Sequence, residues 1–388
     1  MEILVLSPKY LYPPNDGGAL GVLSMLKGFK QNGVNVHLIC VSTNKHKAPA
    51  QLHNELLQLA TVDTVFINTD VNVKDAFFNL FSKQSYNIQR FISNDFKRKI
   101  MEVLNSKTFD VVQFEGLYMA PYAGIVKEHS NAKMVLRAHN VEHHIWEDLA
   151  NEQGTLKKVY FNVLSQRLKA YEENVRHNFD AICTITSEDE DYFKSLNGKA
   201  KTFFTPFMID ADSYKVKVER DLNSVGFIGA LDWMPNLKAL DWLLAEVWPL
   251  VLKQNSNLEL KVAGRNMPSE YVNRKISSVK FLGEVENAKT FISSCGVLAV
   301  PLFSGSGVRV KIIEALALNT PVVATTIATD GLNAGFENYV EVADLPQAFA
   351  NAIVDSLIKT NQLSANYVET QYGEKAVAAK HLNQLKLL

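Results

Sequence analysis

Short apolar runs alternate with longer stretches in which apolar residues return at helical spacing, and this alternation continues almost from end to end. The runs predict strands at 3–7, 35–41, 63–68, 110–114, 133–138, 181–186 and 200–204. A second series follows at 225–228, 258–263, 279–281, 297–300 and 321–324. Helical patterns lie between the strands, including 18–32 and 155–178, and helical stretches run from 345 to 388 after the last strand. Strands separated by helices form parallel sheets covered on both faces, joined by right-handed crossovers. The expected fold class is therefore α/β, with two doubly wound Rossmann-like domains facing a cleft. The polar, charge-rich stretch 210–222 has no strong periodicity and marks the boundary. This gives an N-terminal domain over 1–210, a C-terminal domain over 211–370 and a C-terminal helix over 371–388 that crosses back to the first domain. Ligands of open α/β sheets bind outside the carboxyl ends of the strands, so loops there are the first place to look for chemistry. The architecture alone names no reaction.

Composition narrows the picture. The 388 residues are enough for two domains, and 47% apolar with 21% charged residues suits a chain with a sizeable core. Forty basic residues against 41 acidic ones give a net charge of −1, which makes no electrostatic case for nucleic acid. Cys40, Cys183 and Cys295 each sit in or beside an apolar run, with no metal-ligand spacing. They read as core thiols in a reducing, cytoplasmic setting. The first residues form a buried strand rather than a signal peptide, and no stretch approaches the ~20 apolar residues that cross a bilayer. Residues 73–104 combine Phe77, Phe78, Phe81 and Phe91 with Lys97-Arg98-Lys99. That is either a basic amphipathic helix resting on a membrane's cytoplasmic face or a buried helix pair with a solvated basic turn.

The densest chemistry lies in Val300-Pro301-Leu302-Phe303-Ser304-Gly305-Ser306-Gly307-Val308-Arg309-Val310-Lys311-Ile312-Ile313-Glu314. A strand ends at Pro301, a glycine-bearing loop follows, and a helix is expected from near Gly307. Unpaired N–H groups at such a start favour an anion, and glycines let the backbone approach it. Helical spacing puts Gly307, Lys311 and Glu314 on one stripe and Val308, Ile312 and Ala315 on the buried one. Lys311 then suits a diphosphate, Glu314 ribose hydroxyls, and the Arg309 fork phosphate oxygens. The plainer alternative is an exposed Lys311–Glu314 pair on an ordinary helix.

The run Gly305-x-Gly307-x-Arg309-x-Lys311-x-x-Glu314-Ala315, with Pro321-Val322-Val323 and Asp330-Gly331 beyond it, resembles the donor-binding signature of family 4 glycosyltransferases. Arg137-Ala138-His139-Asn140-Val141-Glu142 is similar to the family's N-domain segment bearing an active-site histidine. Phe227-Ile228-Gly229-Ala230-Leu231-Asp232-Trp233 resembles its opening C-domain strand and loop. The resemblance covers most of the chain. It implies a GT-B fold and a retaining, metal-independent hexosyltransferase without a cofactor. The implied donor is a UDP- or GDP-sugar, and the implied acceptor a glycan or lipid-linked molecule. It also implies catalytic roles for His139, Arg309 and Lys311. Donor contacts would come from Gly17, Gly18, Gly229, Gly305, Ser306, Gly307, Val308 and Glu314. Two departures stand out. Ser306 occupies a position where many members carry Glu, and the usual Arg and Lys of the first C-domain loop are missing around 230–236.

On the N-terminal side, Gly17-Gly18 precedes a helix after the first strand, which is either another anion-facing helix start or simply a good turn. His139 follows a strand directly, as an active-site residue or as a capping one. Glu115, Asn140 and Glu142 are candidates for the acceptor side. A GT-B protein that binds nucleotide without turnover, or a nucleotide-sugar epimerase, would use the same fold.

Overall fold

A computed structural model describes the chain except for residues 15, 73–78, 80, 81, 83, 84, 152, 153, 197, 217, 273, 275, 306 and 359–363. The chain divides into two compact units. The first comprises Met1–Ile209 together with Glu374–Leu388, the second Asp210–Gly373.

The first unit holds a seven-stranded sheet in the order β3-β2-β1-β4-β5-β6-β7. Its strands are β1 (Glu2–Ser7), β2 (Asn35–Ser42), β3 (Thr61–Phe66), β4 (Val111–Glu115), β5 (Lys133–Ala138), β6 (Ala181–Thr184) and β7 (Lys201–Phe204). Every neighbouring pair is parallel. Because side chains alternate along a strand, Ile3 and Val5 point to one core cluster and Leu4 and Leu6 to another. Both faces are thus buried, as a parallel sheet requires.

Six helices carry or brace the candidate residues. They are α1 (Gly17–Gln31), α2 (Glu142–Asn151), α3 (Thr155–Val175), α4 (Met234–Trp242), α5 (Val310–Ala317) and α6 (Glu374–Leu385). Helix α6 supplies Val377, Ala378, Leu382 and Leu385 to the same cluster as Val22, Leu26 and Phe29 of α1.

The second unit holds a six-stranded parallel sheet in the order β10-β9-β8-β11-β12-β13. These are β8 (Asp221–Ile228), β9 (Glu259–Ala263), β10 (Val279–Gly283), β11 (Cys295–Val300), β12 (Val322–Ala324) and β13 (Val340–Val342). The short edge strand β13 escapes the sequence pattern because Glu341 separates its two valines and leaves no apolar run, unlike the equally short but wholly apolar β12. Strand order reverses between β1 and β4 in one sheet and between β8 and β11 in the other, and such switch points leave a crevice at the carboxyl ends.

Of the candidate membrane segment 73–104, residues 73–78, 80, 81, 83 and 84 lie outside the described residues. Toward its end, helix Asn94–Ser106 buries Phe96, Ile100, Val103 and Leu104 in the core. Arg98 and Lys99 pair with neighbouring carboxylates. Among the described residues no helix is long and apolar enough to cross a membrane.

Candidate active site

In the second unit the loop after β11 reaches α5 through two glycines with positive φ, Gly305 at 110° and Gly307 at 79°. Helix α5 begins at Val310, three residues later than its pattern suggests, with Arg309 at the capping position. A left-handed Gly307 cannot belong to a right-handed helix, so the stripe Gly307–Lys311–Glu314 reduces to Lys311 and Glu314. Ser306 lies outside the described residues, and Val308 is half-buried in the loop. Gly305 needs to be glycine twice over, for its φ and because a Cβ there would meet the Trp233 ring at 2.9 Å.

Arg309 departs from the role its guanidinium fork suggested. It is buried, and its two terminal nitrogens donate to the carbonyls of Gly307 (2.7 Å) and Gly305 (2.6 Å). It braces the loop rather than extending a fork outward. Lys311 reaches across to the end of β8, donating to the Ile228 carbonyl (2.6 Å) and the Asn236 side-chain oxygen (3.2 Å). Burial, helped by the charge of Arg309, lowers its ammonium pKa to about 8. Asn236, on α4, donates in turn to the Ala230 carbonyl and packs against Gly229, where a Cβ would lie 2.8 Å from its amide. Glu314 accepts from the Tyr214 hydroxyl (2.8 Å), and burial raises its pKa. The ammonium of Lys289 stands over the Tyr214 ring at 3.9 Å. The glycine loop and Lys311 thus meet at the end of β8, and Glu314 stands further along α5, paired with Tyr214. Asn236 and Tyr214 were not assigned from sequence, since nothing local marks their partners.

In the first unit, Gly17 and Gly18 are the first two residues of α1 rather than a turn before it. Asp16 caps the helix by accepting from the Ala19 amide (2.9 Å) and pairs with Lys9 (2.5 Å). A Cβ on Gly18 would lie 2.9 Å from the Lys9 ammonium, so a cation stands at this helix start. Lys9 was unassigned from sequence.

His139 stands just beyond β5, 21% exposed. Its Nε2 lies 2.6 Å from Glu115, and Arg137 donates to the same carboxylate oxygen at 3.0 Å. Glu115 is the last residue of β4 and only 1% exposed, so it has no open face toward an acceptor and meets Arg137 and His139 instead. Burial alone would raise its pKa, but Arg137, His139 and Gln113 outweigh this and hold it down to about 2. Asn140 is half-buried in the bend between β5 and α2. Glu142, at the start of α2, is buried, accepts from the Tyr118 hydroxyl (2.9 Å), and has its pKa raised by burial to about 7.

Among the described residues, His143, His144 and Glu147 bring metal-ligating atoms within 4.8 Å of one another. His143 is buried with Nδ1 on Glu172 (2.7 Å), and the other two are exposed. None of the three is among the candidate site residues.

Two parallel Rossmann-like sheets, each with its polar groups at a switch point, define a GT-B architecture. The structure of Anabaena Alr3699/HepE in complex with UDP matches over 100% of both chains, with a TM-score of 0.65 at 14% identity, a likeness of fold. Residues 223–359 match the family model described as Glycosyl transferases group 1, so the second unit is similar to that family over most of its length. An uncharacterized 44.6 kDa protein in the cps region of Klebsiella pneumoniae is 25% identical, the match covering 97% of each chain. A poly(glycerol-phosphate) alpha-glucosyltransferase of Bacillus subtilis (strain 168) is 28% identical over 196 residues, 46% of this chain and 28% of that one.

Proposed function

We propose that the protein is a retaining, metal-independent glycosyltransferase that moves a hexose-type sugar from a UDP- or GDP-sugar to a glycan or lipid-linked acceptor. The observation that carries this reading is the grouping of Lys311, Asn236, Gly229 and Glu314 around the start of α5, inside the segment matching the group 1 model. The α5 start and the Lys311 ammonium suit a diphosphate, and the Glu314 carboxylate suits ribose hydroxyls. Stabilising the departing diphosphate is the main electrostatic demand of the reaction. Lys311 and the glycine loop meet that demand, with Arg309 holding the loop in shape. In the first unit, His139 is the residue we assign to the donor sugar. The glucosyltransferase relative and the UDP complex of the Anabaena protein support a uridine-linked glucose as the first donor to try. Assembly of a surface polysaccharide, on the cytoplasmic side of the membrane, is the context we propose.

The test is a calorimetric panel of UDP, GDP, ADP and TDP and their sugars against wild type, Lys311→Ala and Glu314→Ala. One base should bind, and both variants should weaken it at least tenfold. Acceptor-dependent release of the nucleoside diphosphate should follow. Release or isomerisation of the donor without any acceptor would point to an epimerase, and binding without release to a non-catalytic protein.

A further inference from the structure

The polar residues of β4, β5 and β6 stand in register, Glu115 opposite Arg137 and Arg137 opposite Cys183. Gln113, two residues before Glu115, shares its face of the sheet. Against this face packs α6, in the segment by which the chain returns to the first unit, and it inserts His381. His381 is buried, with Nε2 3.1 Å from the Gln113 side-chain oxygen and Nδ1 2.9 Å from the Thr205 hydroxyl. The Cys183 thiol lies 3.6 Å from the same Nδ1. Gln113 donates to Glu115 Oε1 at 2.5 Å, and His139 Nε2 meets Glu115 Oε2 at 2.6 Å. An unbroken chain of side chains therefore runs from the C-terminal helix to His139.

Its polarity has one solution. Glu115 is ionised and accepts only, so Gln113 turns its NH₂ toward the carboxylate and its oxygen toward His381. That oxygen needs a donor, which places the His381 proton on Nε2 and leaves Nδ1 to accept from Thr205. Burial and the charge of Arg137 lower the His381 pKa to about 3, so the ring is neutral and the arrangement persists across ordinary pH. At the other end, His139 donates from Nε2, so its lone pair in the neutral ring is on Nδ1.

We propose that His381 is a positioning residue for His139: through Gln113 it orients the Glu115 carboxylate, which fixes the tautomer and ring orientation of the His139 imidazole. This rests on the reading of His139 as a residue of the transfer site. The C-terminal segment is then part of the apparatus that sets the site, in addition to its packing role.

The experiment uses full-length protein labelled with ¹⁵N-histidine, with the His139 ring signals assigned by their loss in His139→Ala. Long-range proton–nitrogen spectra should show His139 as the single Nε2–H tautomer in wild type. In Gln113→Met and His381→Leu they should show a mixture of tautomers. His381→Gln, whose amide can occupy the place of Nε2–H, should restore the single form. Transfer should follow the same order, kcat falling about tenfold in Gln113→Met, which loses a hydrogen bond to the charged Glu115, and less steeply in His381→Leu, which loses one between neutral groups, with the donor KM little changed in both. Gln113→Met tests the same chain should His381→Leu fail to fold. An unchanged tautomer and unchanged kcat in folded Gln113→Met or His381→Leu would overturn the proposal and leave His381 a packing residue. Full activity in His139→Ala would instead remove His139 from the transfer site, while the spectra would still decide whether the chain orders its ring.

Discussion

Lys311 is a cation whose charge is not secure. Its pKa, lowered to about 8, means that a phosphate contact made by the ammonium is complete near pH 7 and fades as pH rises through 8. Affinity for the nucleoside diphosphate should therefore be about tenfold lower at pH 9 than at pH 7. Calorimetry on wild type and Lys311→Arg checks this, since a guanidinium stays charged and should flatten the profile. A flat wild-type profile would place Lys311 outside the phosphate contact. Glu142 has the opposite shift, up to about 7 from an ordinary carboxyl value. A carboxyl whose folded pKa is raised takes up its proton more readily in the folded state. Its contribution to stability is present below the unfolded pKa and declines as pH climbs toward 7. Glu142→Gln keeps an acceptor for Tyr118 without a buried charge. The variant should raise the melting temperature at pH 8 and change it little at pH 5, where Glu142 is already neutral.

At the scale of elements, helix contacts are set by where a side chain is missing. On α1, a Cβ at Gly28 would meet the Ala378 Cβ at 2.6 Å and the Glu374 carbonyl at 2.8 Å, so α6 lies directly against it. Gly28→Ala should destabilise the first unit by about 1–3 kcal/mol through overpacking. Gly124→Ala, with nothing within 4 Å, is the matched control and should not destabilise. Thermal melts of the two variants side by side test the contact. The loop before α5 is a different case, because its glycines serve geometry as well as space. Gly305→Ala combines a φ of 110° with the Trp233 contact, at a strain of about 1–3 kcal/mol. It should weaken nucleotide binding more than it lowers the melting temperature, which calorimetry and melting curves together measure.

At the scale of the whole molecule, the two units differ in how the chain builds them. The second is one continuous segment, whereas the first is completed only by Glu374–Leu388. Those last residues bury Val377, Leu382 and Leu385 in the core cluster beside α1. Each such side chain contributes about 1.5–3 kcal/mol, and a domain's net stability is only about 5–15 kcal/mol. Truncation after Gly373 should therefore unfold the first unit while the 210–373 segment keeps its structure. Limited proteolysis followed by mass spectrometry of the truncated protein would show which segment survives, and survival of both would mean that α6 is dispensable to the core.

The period of the apolar runs was sufficient for two parallel sheets and for their order along the chain. The glycine-bearing loop before a basic helix was legible because all its parts lie within a few residues of one another. Local sequence was also enough to place His139 at the end of a buried strand. The partners of the charged groups were not legible. Arg309 and Glu115 looked like residues facing a ligand, and both prove to be enclosed, one bracing its own loop and the other holding Arg137 and His139. Gln113 and Arg137 did carry a signal, as polar letters in strands that are otherwise apolar. The sequence could not say what they meet, because periodicity assigns a side chain to a face and not to a neighbour. His381 and Gln113 are 268 residues apart and touch only because the chain leaves the first unit, builds the second and returns. Strand order and that return are non-local, so the tertiary structure alone decided which buried polar groups satisfy one another.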